Sequence, residues 1–153
     1  MFRLARLTDY GIMLLTYFAR AGQDAMRSAR QLSAEARLPV PTVSKILKRL
    51  ANKGILRTHR GAHGGFSLAL SPDSISMAEV VTALEGPIGL TECSGHRRDC
   101  QLEPTCIVRS NWVKINRVVL NSLERITLAD MARPLGLSVA PVELRMAATR
   151  RDS

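Results

Sequence analysis

The residues of this chain best suited to chemistry are three cysteines that fall within one window of fourteen residues. Cys93, Cys100 and Cys106 have the spacing C-x6-C-x5-C, and they are the only cysteines among 153 residues. Gly95, Pro104 and several charged residues separate them, which predicts a polar loop. Single structural cysteines usually lie buried on apolar faces. Three thiols in one polar loop therefore indicate metal ligands, with a redox-thiol loop as the alternative.

The spacing of the cysteines also bears on the kind of metal. Zinc and iron–sulfur clusters both bind thiolates. Structural zinc sites favour C-x2-4-C pairs, which the chain lacks, so the wide and unequal spacing favours an iron–sulfur cluster. The fourth ligand stays open between His96, an acidic residue of the loop, a distant residue and a residue of a partner subunit. No nucleophile–base motif and no phosphate-binding glycine loop is present, so we expect no enzymatic activity.

The chain is strongly basic, and its charge is unevenly distributed. Its 22 Lys and Arg residues outnumber 13 Asp and Glu residues, for a net charge of +9. Nine bases and one acid, Glu35, lie between Arg27 and Arg60, so this stretch alone carries +8. Such a concentration predicts a polyanionic partner, and double-stranded DNA fits better than a membrane surface. No apolar run could span a bilayer, so we expect a cytoplasmic protein with no membrane partner. We also expect no small-molecule substrate.

The elements that position this charge begin with three predicted helices. The first spans residues 2–20. The second starts at Ser28, which forms a capping box with Gln31. The third starts at Pro41 and ends at about Lys53, before a glycine. Two short helices joined by a tight turn predict a helix-turn-helix.

The third helix is amphipathic when its residues are placed at about 100° intervals. Its apolar residues share one face, which predicts docking on the protein: Val43, Ile46, Leu47 and Leu50. Its basic residues lie on the opposite face, which predicts contact with DNA, although a charged face that meets only solvent is the alternative. The predicted DNA-contacting residues of this helix are Thr42, Ser44, Lys45, Lys48 and Arg49.

A β-hairpin is predicted directly after the third helix. Residues 55–60 and 66–70 have strand character, and three of the five residues between them are glycines. A hairpin in this position is typical of a winged helix. Its tip carries Arg60 and His63, which we expect to contact DNA, because Arg can enter a minor groove.

The second half of the chain predicts two further helices. A capping box of Ser76 and Glu79 opens a short helix over residues 77–85. A long helix follows from Arg109 to about Met131. Its apolar residues form a nearly heptad seam: Val108, Trp112, Ile115, Val119 and Ile126, with Leu123 beside them. Such a seam predicts a homodimer, and the alternative is that the helix packs on its own domain.

The predicted fold is therefore mainly α-helical. It is a winged helix-turn-helix with a β-hairpin wing and a long C-terminal dimerisation helix. The DNA-binding domain comprises residues 1–86, the cysteine cluster loop 87–106 and the dimerisation helix 107–132. Residues 133–153 are predicted to form a mobile tail, to which no function is assigned.

With these motifs the chain resembles the Rrf2 family of bacterial winged-helix regulators. The resemblance covers roughly residues 1–131, and within the family it is greatest to the regulators of the SUF iron–sulfur assembly system. The matching segments are Leu7-Thr8-Asp9-Tyr10, residues 41–45, the wing residues 60–66, Ile75-Ser76, residues 84–87 and the cysteine loop.

The resemblance implies a homodimer in which each subunit carries an iron–sulfur cluster, whose state sets the affinity for DNA. It makes Cys93, Cys100 and Cys106 the iron ligands. One branch of the family completes a 2Fe-2S site with a histidine three residues after the last cysteine, where this chain has Arg109. In the nitric-oxide branch a partner-subunit aspartate serves, and Asp9 matches that position. We expect a 2Fe-2S cluster, with 4Fe-4S as the alternative.

Three functions follow from these observations. We expect a DNA-binding transcriptional repressor of iron–sulfur assembly genes that senses through its cluster and binds a double-stranded operator. A nitric-oxide-sensing 4Fe-4S repressor is the alternative within transcription. A small iron–sulfur redox carrier is the alternative from another class, and the basic stretch and the wing argue against it.

Overall fold

The computed structural model describes residues 4–22, 24–91 and 106–133. It contains six helices and one hairpin within those ranges: α1 Arg6–Ala21, α2 Ala29–Ala36, α3 Val40–Asn52, β1 Leu56–His59, β2 Gly65–Leu68, α4 Met77–Glu85, α5 Arg109–Arg125 and α6 Leu128–Ala132. A short 3₁₀ turn, Pro72–Ser74, precedes α4. The order of these elements confirms the predicted mainly α-helical winged helix-turn-helix.

The first helix begins later than predicted. Ala5 has an extended backbone and its N–H donates to the Glu85 carboxylate at the end of α4, at 2.9 Å. Residues 4 and 5 therefore lie outside the helix, because this long-range contact replaces a further helical turn. The predicted second helix is confirmed together with its capping box. The Ser28 hydroxyl accepts from the Gln31 N–H at 3.2 Å, and the Gln31 side chain accepts from the Ser28 N–H at 2.8 Å.

The third helix docks through the predicted apolar face. Its four apolar residues Val43, Ile46, Leu47 and Leu50 are completely buried. They pack in one core with residues of α1, α2, α4 and α6: Leu14, Leu15, Phe18, Leu32, Val80, Leu84 and Leu128. The helix starts at Val40, one residue before the predicted start, because Pro39 serves as the N-cap and Pro41 occupies an early position that needs no N–H donor. It ends before Gly54, whose φ of 78° suits a glycine.

The wing is a two-stranded antiparallel sheet whose register runs from Leu56 opposite Leu68 to His59 opposite Gly65. A bridge to Arg27 extends it, with both hydrogen bonds between Arg27 and Phe66 at 2.9 Å. A side chain at Gly65 would meet the Arg27 carbonyl oxygen, with the Cβ at 2.7 Å. Glycine at this position therefore allows the loop before α2 to lie directly against the wing.

Helices α4 and α5 form a helical hairpin, and α4 has the predicted bounds, Met77–Glu85. The prediction of one long helix from Arg109 to Met131 is wrong at its end, because α5 stops at Arg125. The Met77 N–H donates to the Ile126 carbonyl and the Leu128 N–H to the Ile75 carbonyl, each at 2.8 Å. These bonds hold the backbone in an extended bridge, and a capping box of Thr127 and Asp130 then opens α6.

Helix α5 is covered unevenly along its length. Leu123 packs against the core and Leu120 lines the cleft beside α4, whereas most of the predicted seam is exposed. In that seam, Trp112 is 38% exposed and Ile115 is 46% exposed. The seam is therefore not covered by the described part of the same chain.

Two predictions fall outside the described residues. Cys93 and Cys100 belong to residues 92–105, and the predicted mobile tail belongs almost entirely to residues 134–153. Among the helices of the described ranges, not one combines the length and hydrophobicity needed to cross a bilayer.

Candidate nucleic-acid interface and cysteine site

The basic face of α3 points away from the core. Because the apolar face is completely buried, the opposite face is left to solvent, and Lys45, Lys48 and Arg49 are exposed there. Thr42 and Ser44 lie half-buried on the flanks. The short hydroxyl side chains therefore sit beside long basic ones, an arrangement that can hydrogen-bond to base edges while the charges reach phosphates.

Almost all of the positive charge between Arg27 and Arg60 is exposed and is not neutralised by the described residues. Arg27 forms an ion pair with Glu35, the one acid of the stretch. Of the nine bases, the other eight are exposed and make no ion pair within the described ranges. They are Arg30, Arg37, Lys45, Lys48, Arg49, Lys53, Arg57 and Arg60. Because no carboxylate neutralises them, this surface attracts polyanions over several ångströms.

Arg49 has a second contact that the sequence did not indicate. Its Nη1 donates to the Leu84 carbonyl in the last turn of α4, at 3.2 Å. Carbonyls in the last turn of a helix lack helical partners and carry partial negative charge, so a guanidinium is a suitable donor. Arg49 thus links α3 to α4, although the residue as a whole is exposed. A helical-wheel analysis finds the basic face but not this partner, which is 35 residues away in sequence.

The wing follows α3 without a flexible linker. Only residues 53–55 separate α3 from β1, and the Ile55 N–H donates to the Leu50 carbonyl at 3.0 Å. Arg60 and His63 are exposed in the connection between β1 and β2, at the predicted tip. His59 instead bonds to Ser67 across the wing at 2.8 Å. The structure therefore places both predicted wing residues on an exposed tip that is joined directly to the recognition helix.

Cys106 is the one cysteine within the described ranges, and it is half-buried just before α5. Its carbonyl accepts from the Arg109 N–H at 3.3 Å, so it lies at the N-terminal end of that helix. Arg109, in the position where one branch of the family has a histidine ligand, is the first residue of α5.

Asp9 lies exposed on α1. It could in principle cap this helix or pair with a nearby arginine, but α1 has no side-chain cap bond, and the Asp9 carboxylate makes no ion pair within the described ranges. No three His, Cys, Asp or Glu side chains of those ranges cluster so that they could hold a metal ion. Cysteine sulfur and carboxylate oxygen are donors of a type that iron binds, so the chemistry of Cys106 and Asp9 fits an iron–sulfur site.

Sequence reasoning also missed Asn116, the one residue of α5 that is buried among those described. Its carboxamide Oδ1 accepts from the Leu90 N–H at 3.1 Å, and its Nδ2 donates to the Ile88 carbonyl at 3.3 Å. A polar residue within an apolar helical pattern was the only available signal. It indicated neither the partners nor their distance.

Comparison with known proteins identifies the architecture. The family model described as "Rrf2: Iron-dependent Transcriptional regulator" matches residues 4–134. The HTH-type transcriptional regulator NsrR of Halalkalibacterium halodurans is 30% identical over 130 residues, which cover 84% of this chain and 89% of that protein. The protein rrf2 of Nitratidesulfovibrio vulgaris is 27% identical over 135 residues, covering 88% of this chain and 90% of the relative.

Two solved structures are similar to this fold. CymR, the global cysteine regulator of B. subtilis, superposes with a TM-score of 0.67 at 26% identity, over 86% of this chain and 97% of CymR. IscR of T. potens gives a TM-score of 0.64 at 23% identity, over 85% of each chain, which is a likeness of fold alone.

Proposed function

The chain belongs to the Rrf2 family of iron-dependent transcriptional regulators, and from this premise we propose that it represses iron–sulfur assembly genes in response to its own iron–sulfur cluster. As a member of this family it is a transcriptional regulator and not an enzyme. We propose further that it acts as a homodimer on a specific double-stranded operator.

The observation that carries the proposal is the set of eight exposed bases on and around α3 and the wing, which form no ion pair with any described residue. Each base that meets a phosphate releases a counterion from the duplex, so affinity should fall steeply with salt. Thr42, Ser44, Lys45 and Lys48 would read the major groove, and Arg49 would support them from the same helix. Arg60 and His63 would reach the adjacent minor groove from the wing tip.

The exposed seam of α5 supports the homodimer. Val108, Trp112, Ile115 and Ile126 are exposed against the described part of the chain. A second copy would cover this seam, since an exposed apolar stripe on a helix is typical of a coiled-coil-like contact. A two-fold dimer would present two recognition helices to an inverted repeat whose half-sites lie about one helical turn of DNA, roughly 34 Å, apart.

The ligands of the proposed cluster are Cys93, Cys100 and Cys106, with Asp9 from the partner subunit as the fourth. Once bound, the cluster supplies a redox-active centre whose potential depends on its ligands and its exposure. Within this chain, Cys106 ties the site to the start of α5, and Asp9 offers a carboxylate that forms no ion pair with the described residues. We favour a 2Fe-2S cluster.

The second candidate function is a nitric-oxide-sensing repressor with a 4Fe-4S cluster. The specific observation in its favour is Asp9, whose exposed and unpaired carboxylate matches the ligand position of that branch. The redox-carrier alternative is not proposed, because the chain belongs to a family of transcriptional regulators.

Anaerobic purification followed by measurement of visible absorbance, iron, sulfide and zinc tests the proposal directly. We expect a coloured protein with equal iron and sulfide, and two of each per subunit. Four of each would favour the second candidate. A colourless protein with one zinc or no metal would contradict cluster sensing and leave a DNA-binding regulator. A matched Cys100→Ser variant should lose the colour and keep the unfolding midpoint of the winged part.

A further inference from the structure

We propose that Asn116 is a positioning residue for the cysteine site: its carboxamide holds residues 88–90 against α5, and so sets where the chain enters the cysteine segment relative to Cys106, at the end of that segment. The proposal rests on the proposed function in taking the cysteines as ligands. It adds a residue that is not itself a ligand.

The first step is the clamp itself. Asn116 is only 8% exposed, and two of its hydrogen bonds reach residues 26 and 28 positions earlier in the chain. Residues 86–91 belong to no helix or strand, so their backbone groups need partners from elsewhere. One carboxamide serves both an N–H and a carbonyl of this segment, which an apolar side chain of the same size could not do.

The second step concerns how α4 and α5 are held together at both ends. At its other end the α4–α5 hairpin is fastened by the bonds between Met77 and Ile126 and between Leu128 and Ile75. From Asn116 to the last residue of α5 the helix rises about 13 Å, close to the length of the nine-residue α4. The clamp therefore lies level with the end of α4 and closes the hairpin there.

The third step concerns the turns beyond the clamp. Residues 109–115, which we call the projecting turns, extend about 10 Å past Asn116. Cys106 lies just before them, whereas the segment held by Asn116 leads toward Cys93. Asn116 thus fixes one end of the cysteine segment and the projecting turns carry the other.

The test uses the full chain and three variants. Asn116→Leu removes the hydrogen bonds to Leu90 and Ile88 while keeping the branched shape of the side chain. Asn116→Asp keeps an acceptor for the Leu90 N–H and loses the donor to Ile88. Asn121→Leu is the matched control, because Asn121 is an exposed asparagine on the same helix. The unfolding midpoint of each variant shows whether the core remains folded.

Two measurements are made on the metal-free protein and one on the anaerobically loaded protein. The exchange rate of the Leu90 amide should rise about tenfold or more in Asn116→Leu and remain unchanged in Asn121→Leu. The alkylation rate of Cys106, followed by peptide mass spectrometry, should rise in the same variant. The half-life of the visible absorbance in the presence of a chelator should fall several-fold in Asn116→Leu and by an intermediate factor in Asn116→Asp.

The proposal is overturned if Leu90 loses its protection while Cys106 alkylation and the chelator half-life match those of Asn121→Leu. Asn116 would then stabilise the hairpin without positioning the ligands, and the proposed function would stand. If the wild-type protein binds no iron, the proposed function fails separately. Cys106 alkylation then decides the positioning role, since faster labelling in Asn116→Leu supports it and equal labelling contradicts it. A variant with an unchanged Leu90 exchange rate would show that the clamp is not formed.

Discussion

Helix α3 and helix α5 have the same kind of amphipathic pattern and opposite structural outcomes. The apolar face of α3 is completely buried within its own chain, and its charges point outward. The seam of α5 has an equally regular spacing, yet Trp112 and Ile115 remain exposed. Periodicity thus identifies the apolar side of a helix but not what covers it. In α3 the cover is the domain core, and in α5 we propose that it is a second subunit.

The largest expected effect is a loss of stability when the buried apolar face of α3 is altered. Leu47→Ala should lower the free energy of unfolding by about 2–5 kcal/mol, because it leaves a cavity in a fully packed core. DNA binding should be lost at temperatures where the variant unfolds. Urea denaturation monitored by circular dichroism measures the change, with the adjacent exposed Lys48→Ala as the control. Equal stability of the two variants would contradict the docking of α3.

A change in the exposed seam of α5 should weaken dimer formation strongly and affect folding of the monomer little. Trp112→Arg should weaken the dimer by about 2 kcal/mol or more, roughly thirtyfold, because it places a charge in a desolvated contact. Sedimentation at several concentrations measures this, and unfolding of the monomer should change little. Asn121→Arg, on the opposite side of α5, is the control. A wild-type protein that remains monomeric at high concentration would show that the seam has another role.

Lys48 and Arg49 are neighbouring bases of α3, and their substitution should affect DNA binding and stability differently. Lys48→Ala should weaken operator binding and reduce the log–log salt slope by about 1, as expected for a lost phosphate contact. Arg49→Ala should change the slope less and lower the free energy of unfolding by about 1 kcal/mol, because it loses the bond to the Leu84 carbonyl. Fluorescence anisotropy across a salt series and urea unfolding measure the two effects. If the two variants gave the same salt slope and the same free energy of unfolding, Lys48 and Arg49 would not differ in role as we expect.

The smallest expected effect concerns the junction between α5 and α6. The backbone N–H of Thr127 and its hydroxyl donate to the Asp130 carboxylate and lower the pKa of that group below its ordinary value. A lowered folded-state pKa stabilises the fold above the unfolded pKa, and this stabilisation is lost as the pH falls through the folded value. Thr127→Val should therefore raise the Asp130 pKa, which a nuclear magnetic resonance titration measures. An unchanged pKa would show that the bond from the Thr127 hydroxyl does not persist in solution.

Most of the winged region could be predicted because its signals are local. The capping boxes of Ser28 and Ser76 need only residues three positions apart, and both form as predicted. The strands of the wing pair across a short turn, so alternation and glycines sufficed to find them. The break after Arg125 could not be predicted, because the competing hydrogen bonds come from residues 75–77, about fifty positions earlier in the chain.

The candidate site divides in the same way. The sequence by itself determined the basic face of α3, the wing tip and the clustering of the cysteines, since residue type and spacing within one element decide these. Only the tertiary structure decided that Arg49 bonds to the end of α4 and that Asn116 holds residues 88–90. It also decided that the residues described here leave most of the seam of α5 exposed. A hydrogen bond between distant residues depends on how two elements are placed relative to each other in space. The spacing of residues within either element does not determine that placement.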